Sequence, residues 1–350
     1  MKHLMVKTVI VTILLAVLLG CTSRAKSNRA VEASSPTSPK CAQDRHVRTS
    51  STRADSLYFL NTRSGWAILN NGLYQTVDGG KTWELLNHNG IGLQALIFVD
   101  EINGWGYSDQ WQTERRSSLV FRSEDGGRSW RQALELPTPI YSIDFVDKLV
   151  GYVSGRWYPI QMTNDGGQTW QKIEGVAEGV KIIHFLNERE GWGYGNGIWY
   201  TDDCGLTWTE KVSSDSFEGD LYAGAFVDNS GYLVGSNGQV WRSGSGRVWQ
   251  QVTNLPLKAE ALTAADFISA KEGWLSGWLK KGDGVRNGTG IVLHTMNGGD
   301  SWQVSSRWPS GIGSIKFVNS DEGWATDGDG KLLHTSDAGK SWKIKQLPQT

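Results

Sequence analysis

Proline is scarce in this chain of 350 residues, with 8, and cysteine scarcer still, with 3. Nowhere does the sequence carry the long 3.6-residue apolar period of an amphipathic helix, which excludes a helical bundle or coiled coil. Net charge is also lacking: 35 basic residues stand against 36 acidic ones, so the chain as a whole has no basic footprint for nucleic acid. What is present in excess is glycine, 43, and tryptophan, 18. Short strands and tight turns have that composition, so the reading is all-β.

One short stretch recurs seven times. In its clearest form it is Thr201-Asp202-Asp203-Cys204-Gly205-Leu206-Thr207-Trp208, and the other copies end at Trp83, Trp130, Trp170, Trp249, Trp302 and Trp342. The carboxylates of Asp78, Asp125, Asp165, Asp203 and Asp337 can accept backbone N–H groups within the turn, and Asn297 stands in their place in the sixth copy. Paired glycines such as Gly79-Gly80 supply left-handed backbone. Each Trp then re-enters a strand and buries its ring. The fifth copy, Ser243 to Trp249, is a residue short and lacks the Asp, so a weaker turn is expected there.

A second signature precedes each turn, as in Phe98-Val99-Asp100 followed by Gly104-Trp105, and it too occurs seven times. Each unit of about 42 residues then reads as four strands, A to D, the size of a propeller blade. A lone four-stranded sheet cannot cover both of its faces, so the units must stack radially. The expected fold is all-β: a seven-bladed β-propeller of four-stranded blades over residues 54–350. With no strand evidently shared across the closure, the ring is expected to shut by face packing of blades one and seven.

Ahead of the repeats, Lys2 and Lys7 flank the start of an apolar run, Val9 to Leu19, closed by Leu18-Leu19-Gly20-Cys21. This resembles a bacterial lipoprotein processing box, which implies a signal peptide over residues 1–21 and lipidation at Cys21; an uncleaved transmembrane helix would need a longer run. Residues 22–53, rich in Ser, Thr, Pro, Ala and Arg, read as a disordered basic tether with a net charge of plus five. The remaining head holds 26 basic and 34 acidic residues, a poor match for nucleic acid. Localisation is expected to be extracytoplasmic, lipid-anchored to a bacterial membrane, with the chain a monomer. Cys41 and Cys204 could join and pin the tether to the fourth unit, but sequence does not show proximity, and two unpaired thiols are the expectation.

The repeated turn resembles the Asp-box, or BNR, repeat of sialidases, sortilin-type receptors and xyloglucan-degrading propellers. The fuller pattern FVDxxxGWxxG…TxDGGxTW is similar to that of the photosystem II stability and assembly factor family, and the match spans Asp55 to Leu347. That resemblance implies a protein-binding scaffold or assembly factor for a membrane complex. A carbohydrate-binding or glycan-degrading lipoprotein is the alternative.

Chemistry finds little support. Sialidases need an arginine cluster and an Arg-Ile-Pro type segment that Arg63 does not supply. The repeated Asp residues already have turn duties. Gly80-Lys81-Thr82 lacks the rest of a phosphate loop, and Asp327-Gly328-Asp329-Gly330 continues into Lys331 where a calcium loop needs a ligand. The six His have no zinc spacing, and His294 with His334 simply share one repeat position on strand C. The expectation is a non-enzyme without metal or cofactor.

A–B and C–D connections lie on one face of such a wheel, B–C and D–A connections on the other. The first face holds the repeated turns. The second varies, with enlarged B–C loops in blades two, three and six. Five of the tryptophans belong to strand B and two to strand C. Those that neither the turns nor these strands account for are Trp111, Trp157, Trp278 and Trp308, all at or beside the variable face. Near them fall Arg115, Arg116, Arg156, Tyr158, Lys280, Lys281 and Arg286. Aromatic and basic anchors on variable loops are expected to grip a protein segment.

Overall fold

The computed structural model of the protein describes residues 48–51, 57–70, 72–87, 90–110, 117–173, 179–228, 230–244, 248–280 and 288–348. Seven antiparallel sheets follow one another along the chain, six of four strands paired in sequence order and one, the fifth, of four such strands with a further strand added at its inner edge. The protein is a seven-bladed β-propeller. In blade four, strand A is Val180–Phe185, B is Gly191–Gly195, C is Ile198–Thr201 and D is Thr209–Val212. The A strands of blades two and three, three and four, five and six, six and seven, and seven and one touch around the axis. Strand B is buried throughout in blades one, three, four and seven. It is covered on both faces by neighbouring blades, so alternation gives way to continuous burial.

The two repeated signatures meet between blades. The ring of Trp105, from strand B of blade two, stacks on Phe145 of blade three at 3.7 Å. Its Nε1 donates to the carbonyl of Gly166 in blade three's turn at 3.2 Å. Trp66 repeats this on Phe98 and Gly126, and Trp274 on Phe317 and Ala338. Tyr152 and Tyr232 stack on Phe185 and Phe267, their hydroxyls reaching carbonyls of the next blade. The turn Trp then closes edge-on against the same Phe, as Trp170 does on Phe145. The deepest rings are therefore those of strand B: Trp66, Trp105 and Trp274 are fully buried, whereas Trp130, Trp170 and Trp208 keep some exposure.

The turns have the expected chemistry. In the first, Thr82 donates its N–H and hydroxyl to Asp78, the Thr76 hydroxyl donates to Asp78, and Gly80 N donates to Thr76 Oγ1. Gly80 has φ +85°, and a Cβ there would lie 2.3 Å from Trp324. In the fourth and seventh turns Cys204 and Ala338 occupy the first left-handed position, with φ 67° and 61°. Asn297 keeps the sixth turn by accepting from Ser301 N and donating to Ser301 Oγ. The fifth turn lies partly outside the described residues. The ring shuts by packing of blade seven on blade one: Trp83 meets Trp324 edge-on, Trp324 Nε1 donates to Gly79 O, and Asn70 donates to Gly330 O.

Two findings depart from the sequence reading. Strand β1, Arg48–Ser51, lies within the stretch expected to be tether and pairs antiparallel with strand A of blade five, Leu221–Val227. It also touches the A strands of blades three, four and six, and so stands inside the ring. Ala223, Ala264 and Ala265, on the A strands of blades five and six, line the channel there. Small side chains leave room for a backbone, and an inner edge strand offers unpaired N–H and C=O groups. Secondly, Cys204 is disulfide-bonded, which corrects the expectation of two unpaired thiols. It is 1% exposed and set at the left-handed corner of its turn, so the fold fixes the direction in which its sulfur points. Cys21 and Cys41 lie outside the described residues.

Candidate functional site

On the variable face, blade three carries a short hairpin between strand B, Gly151–Gly155, and strand C, Tyr158–Thr163. Its tip is Arg156-Trp157. Trp157 is 89% exposed, the most exposed of the large apolar side chains described. Its φ is +53°, an unfavourable conformation for a bulky L-residue that persists only when the surroundings enforce it. The enforcement is visible below the tip: Arg156 N donates to Pro139 O at 2.8 Å, and the Thr138 hydroxyl donates to Arg156 O at 2.6 Å. The Arg156 guanidinium lies over the indole at 4.2 Å, a cation–π pair presented to solvent. Tyr158 is half-buried behind it, with Lys172 Nζ 5.2 Å from its ring.

The second station lies on blade six. There strands B and C, Gly273–Leu279 and Thr289–Thr295, run to seven residues each. Trp278 sits between Ala261 and Gly290 and packs beside Gly311, leaving it half-buried. Trp308 ends strand D, and its Nε1 donates to Asp327 Oδ2 of blade seven at 2.9 Å. Its ring therefore joins two blades as well as touching the surface. Lys280 is exposed beside Trp278's strand. Trp111, Arg115, Arg116, Lys281 and Arg286 lie outside the described residues.

Trp157, Trp278 and Trp308 thus share one face. However, blades three and six stand three apart in the ring of seven, so they form two stations across the channel mouth rather than one patch.

Other groups on this face carried no repeat signal in the sequence. Lys181 pairs with Asp220 across blades four and five at 2.6 Å, and Ser236 donates to Tyr222 OH at 2.7 Å beside them. Asp109, at the end of blade two's strand B, accepts from Ser118 and from Ile140 N. Burial raises its pKa, and those two bonds oppose the shift. On the A strands of blades six and seven, Asp266 and Lys316 form a buried ion pair at 2.6 Å, and Asp266 also accepts from Phe317 N. Asp144 accepts from Phe185 N in the same way. These carboxylates join adjacent blades, and their spacing in the chain gave no hint of it.

Among the described residues no group of three or more His, Cys, Asp and Glu is placed to hold a metal ion. His294 stacks on Trp274 and His334 lies tilted against Trp324, as a repeat position would. Burial lowers the pKa of both, against the contact with Glu272 in the case of His294.

The fold and this face define a propeller scaffold. No protein-family model and no curated protein matches the chain. Among solved structures it is similar to the GH74 xyloglucanase of Xanthomonas campestris, with a TM-score of 0.65 at 12% identity over 86% of this chain. The chain spans 56% of that enzyme's length. It is also similar to YCF48 bound to D1 peptide, with a TM-score of 0.59 at 19% identity over 83% of this chain and 94% of that one. YCF48 from Cyanidioschyzon merolae matches 73% of this chain at 17% identity, with a TM-score of 0.56. At these identities the likeness is one of fold.

Proposed function

We propose that the protein is a non-enzymatic, membrane-tethered extracytoplasmic propeller that binds a protein segment, as a scaffold or assembly factor for a membrane complex. The observation that carries this is Trp157: a strained, almost fully exposed indole, stacked by Arg156, on a hairpin tied to the rigid ring. Exposed Trp and Arg on a rigid frame are the usual anchors of protein interfaces. The partner is a segment of a membrane protein, in keeping with the peptide complex of YCF48. The Asp-box turns and the leader ending at Cys21 belong to the same reading, by resemblance to that assembly-factor family.

Trp157→Ala is expected to weaken partner capture from detergent-solubilised membranes by about 2 kcal/mol, roughly thirtyfold in Kd, with the melting curve unchanged. A variant that captures the partner as well as the parent chain refutes the assignment of Trp157. The similarity to GH74 propellers, together with an exposed Trp able to stack on a sugar ring, supports a glycan-binding reading as the second choice. Turnover or tight binding on a xyloglucan or sialoside panel would select it.

A further inference from the structure

We infer that the face of the repeated turns is the one turned toward the lipid surface, so that the variable face is held outward. This rests on the proposed anchor at Cys21 and adds which side of the wheel the membrane meets. Strand direction is the first argument. Every strand A begins on the variable face and ends on the repeated-turn face. In β1, Arg48 lies opposite Phe226, near the end of blade five's strand A, and Ser51 opposite Ala223, near its start. The chain therefore enters the channel from the repeated-turn face and leaves toward the variable face, where blade one begins at Leu57. Everything upstream of Arg48 is attached on the repeated-turn side.

The disulfide gives a second tie to that side. Cys204 lies in the turn between strands C and D of blade four, and the only other cysteines, Cys21 and Cys41, both precede Arg48. Acylation takes the sulfur of Cys21 into a thioether, which leaves Cys41 as the partner. The free tether is then the stretch between Cys21 and Cys41, nineteen residues. As a flexible coil it spans on the order of 25 Å, which favours the near face of the wheel over the far one.

Exposed apolar side chains supply the third argument. Val77, Ile102, Leu186, Val248 and Met296, 44% to 72% exposed, all stand on A–B or C–D connections, one each in blades one, two, four, five and six. Of the other exposed large apolar residues described, Val304 and Ile344 are on outer D strands and Trp157 is on the variable face. Single apolar side chains spread over a flat face suit shallow seating among lipid headgroups, and exposed Lys81, Lys271 and Lys340 lie among them beside exposed Glu101, Glu124, Asp202, Asp300 and Asp321.

The test uses the full acylated protein in vesicles of phosphatidylethanolamine and phosphatidylglycerol, with the same protein in detergent as reference. Lysines are acetylated with a membrane-impermeant reagent and read by peptide mass. Lys81, Lys271 and Lys340 should lose reactivity several-fold on vesicles, while Lys258 and Lys280, on the variable face, keep theirs. Equal protection of both faces, or the reverse pattern, overturns the orientation and leaves the anchor standing. An N-terminal peptide mass without an acyl chain on Cys21 overturns both, and reports that failure separately.

Discussion

Trp105→Ala is expected to cost about 4 kcal/mol of stability, the upper part of the range for emptying an aromatic site in a core. For a domain of this size that is a fall of roughly 10 °C in Tm. The site has little capacity to relax. Trp105 is fully buried, its ring lies flat on Phe145, its N–H is held by Gly166 O, and Arg122 covers it at 5.5 Å. Removing it opens a hole between blades two and three and strands the Gly166 turn. Because each blade is held mainly by its neighbours, hydrogen exchange should quicken first in those two blades. Trp105→Phe keeps the stack and loses the hydrogen bond, so it should cost distinctly less than the alanine change. Equal losses for Phe and Ala would show that the stacking contributes nothing and that the turn bond alone matters.

Acid should unfold the wheel cooperatively between about pH 4 and pH 2, and the turn aspartates should set that window. Burial raises the carboxyl of Asp337, but bonds from Ser341, Thr335 and Lys340 outweigh it and hold it at about 2. Asp78, Asp125, Asp165 and Asp203 are lowered by the same balance. A carboxyl depressed in the folded state stabilises the fold above its unfolded value, near ~3.9, and that contribution is lost as pH falls through the folded value. The chain contains its own control, since Asn297 makes the same turn without a titrating group. Asp337→Asn should therefore cost about 1 kcal/mol at neutral pH, less at low pH, and flatten the acid limb. An Asn variant whose acid midpoint and slope match the parent's would remove the turns as the source of the effect.

Much of the fold was legible because its information is local. The turn needs an Asp two residues after a hydroxyl and a glycine pair, and the strand signature needs Phe, Gly and Trp at fixed offsets; both are readable without knowing what packs on what. The ring closure also followed, since neither end of the repeat array left a strand over. The site was less legible. Trp157 is one of the tryptophans without a repeat duty, yet the same criterion also gathers Trp308, whose N–H is committed to Asp327. Loop composition could not show that blades three and six stand across the channel from each other. The Lys181–Asp220 and Asp266–Lys316 pairs join residues about 40 and 50 positions apart in the chain, with no motif to connect them.

What the sequence by itself determined is the blade: seven copies of a short-range pattern, each specifying four strands and one turn through contacts within about 42 residues. Tertiary structure alone decided what enters the ring and which residues share a surface. The stretch Arg48–Ser51 has the composition of a tether and becomes a strand only because blade five presents an open inner edge beside small side chains. Cys204 looks like any turn residue until the fold fixes its corner and its sulfur is found bonded. Local hydrogen bonds and φ preferences act over a few residues, and so leave a mark at fixed spacing. Packing across a closed ring acts between residues whose separation in the chain is arbitrary, and leaves none.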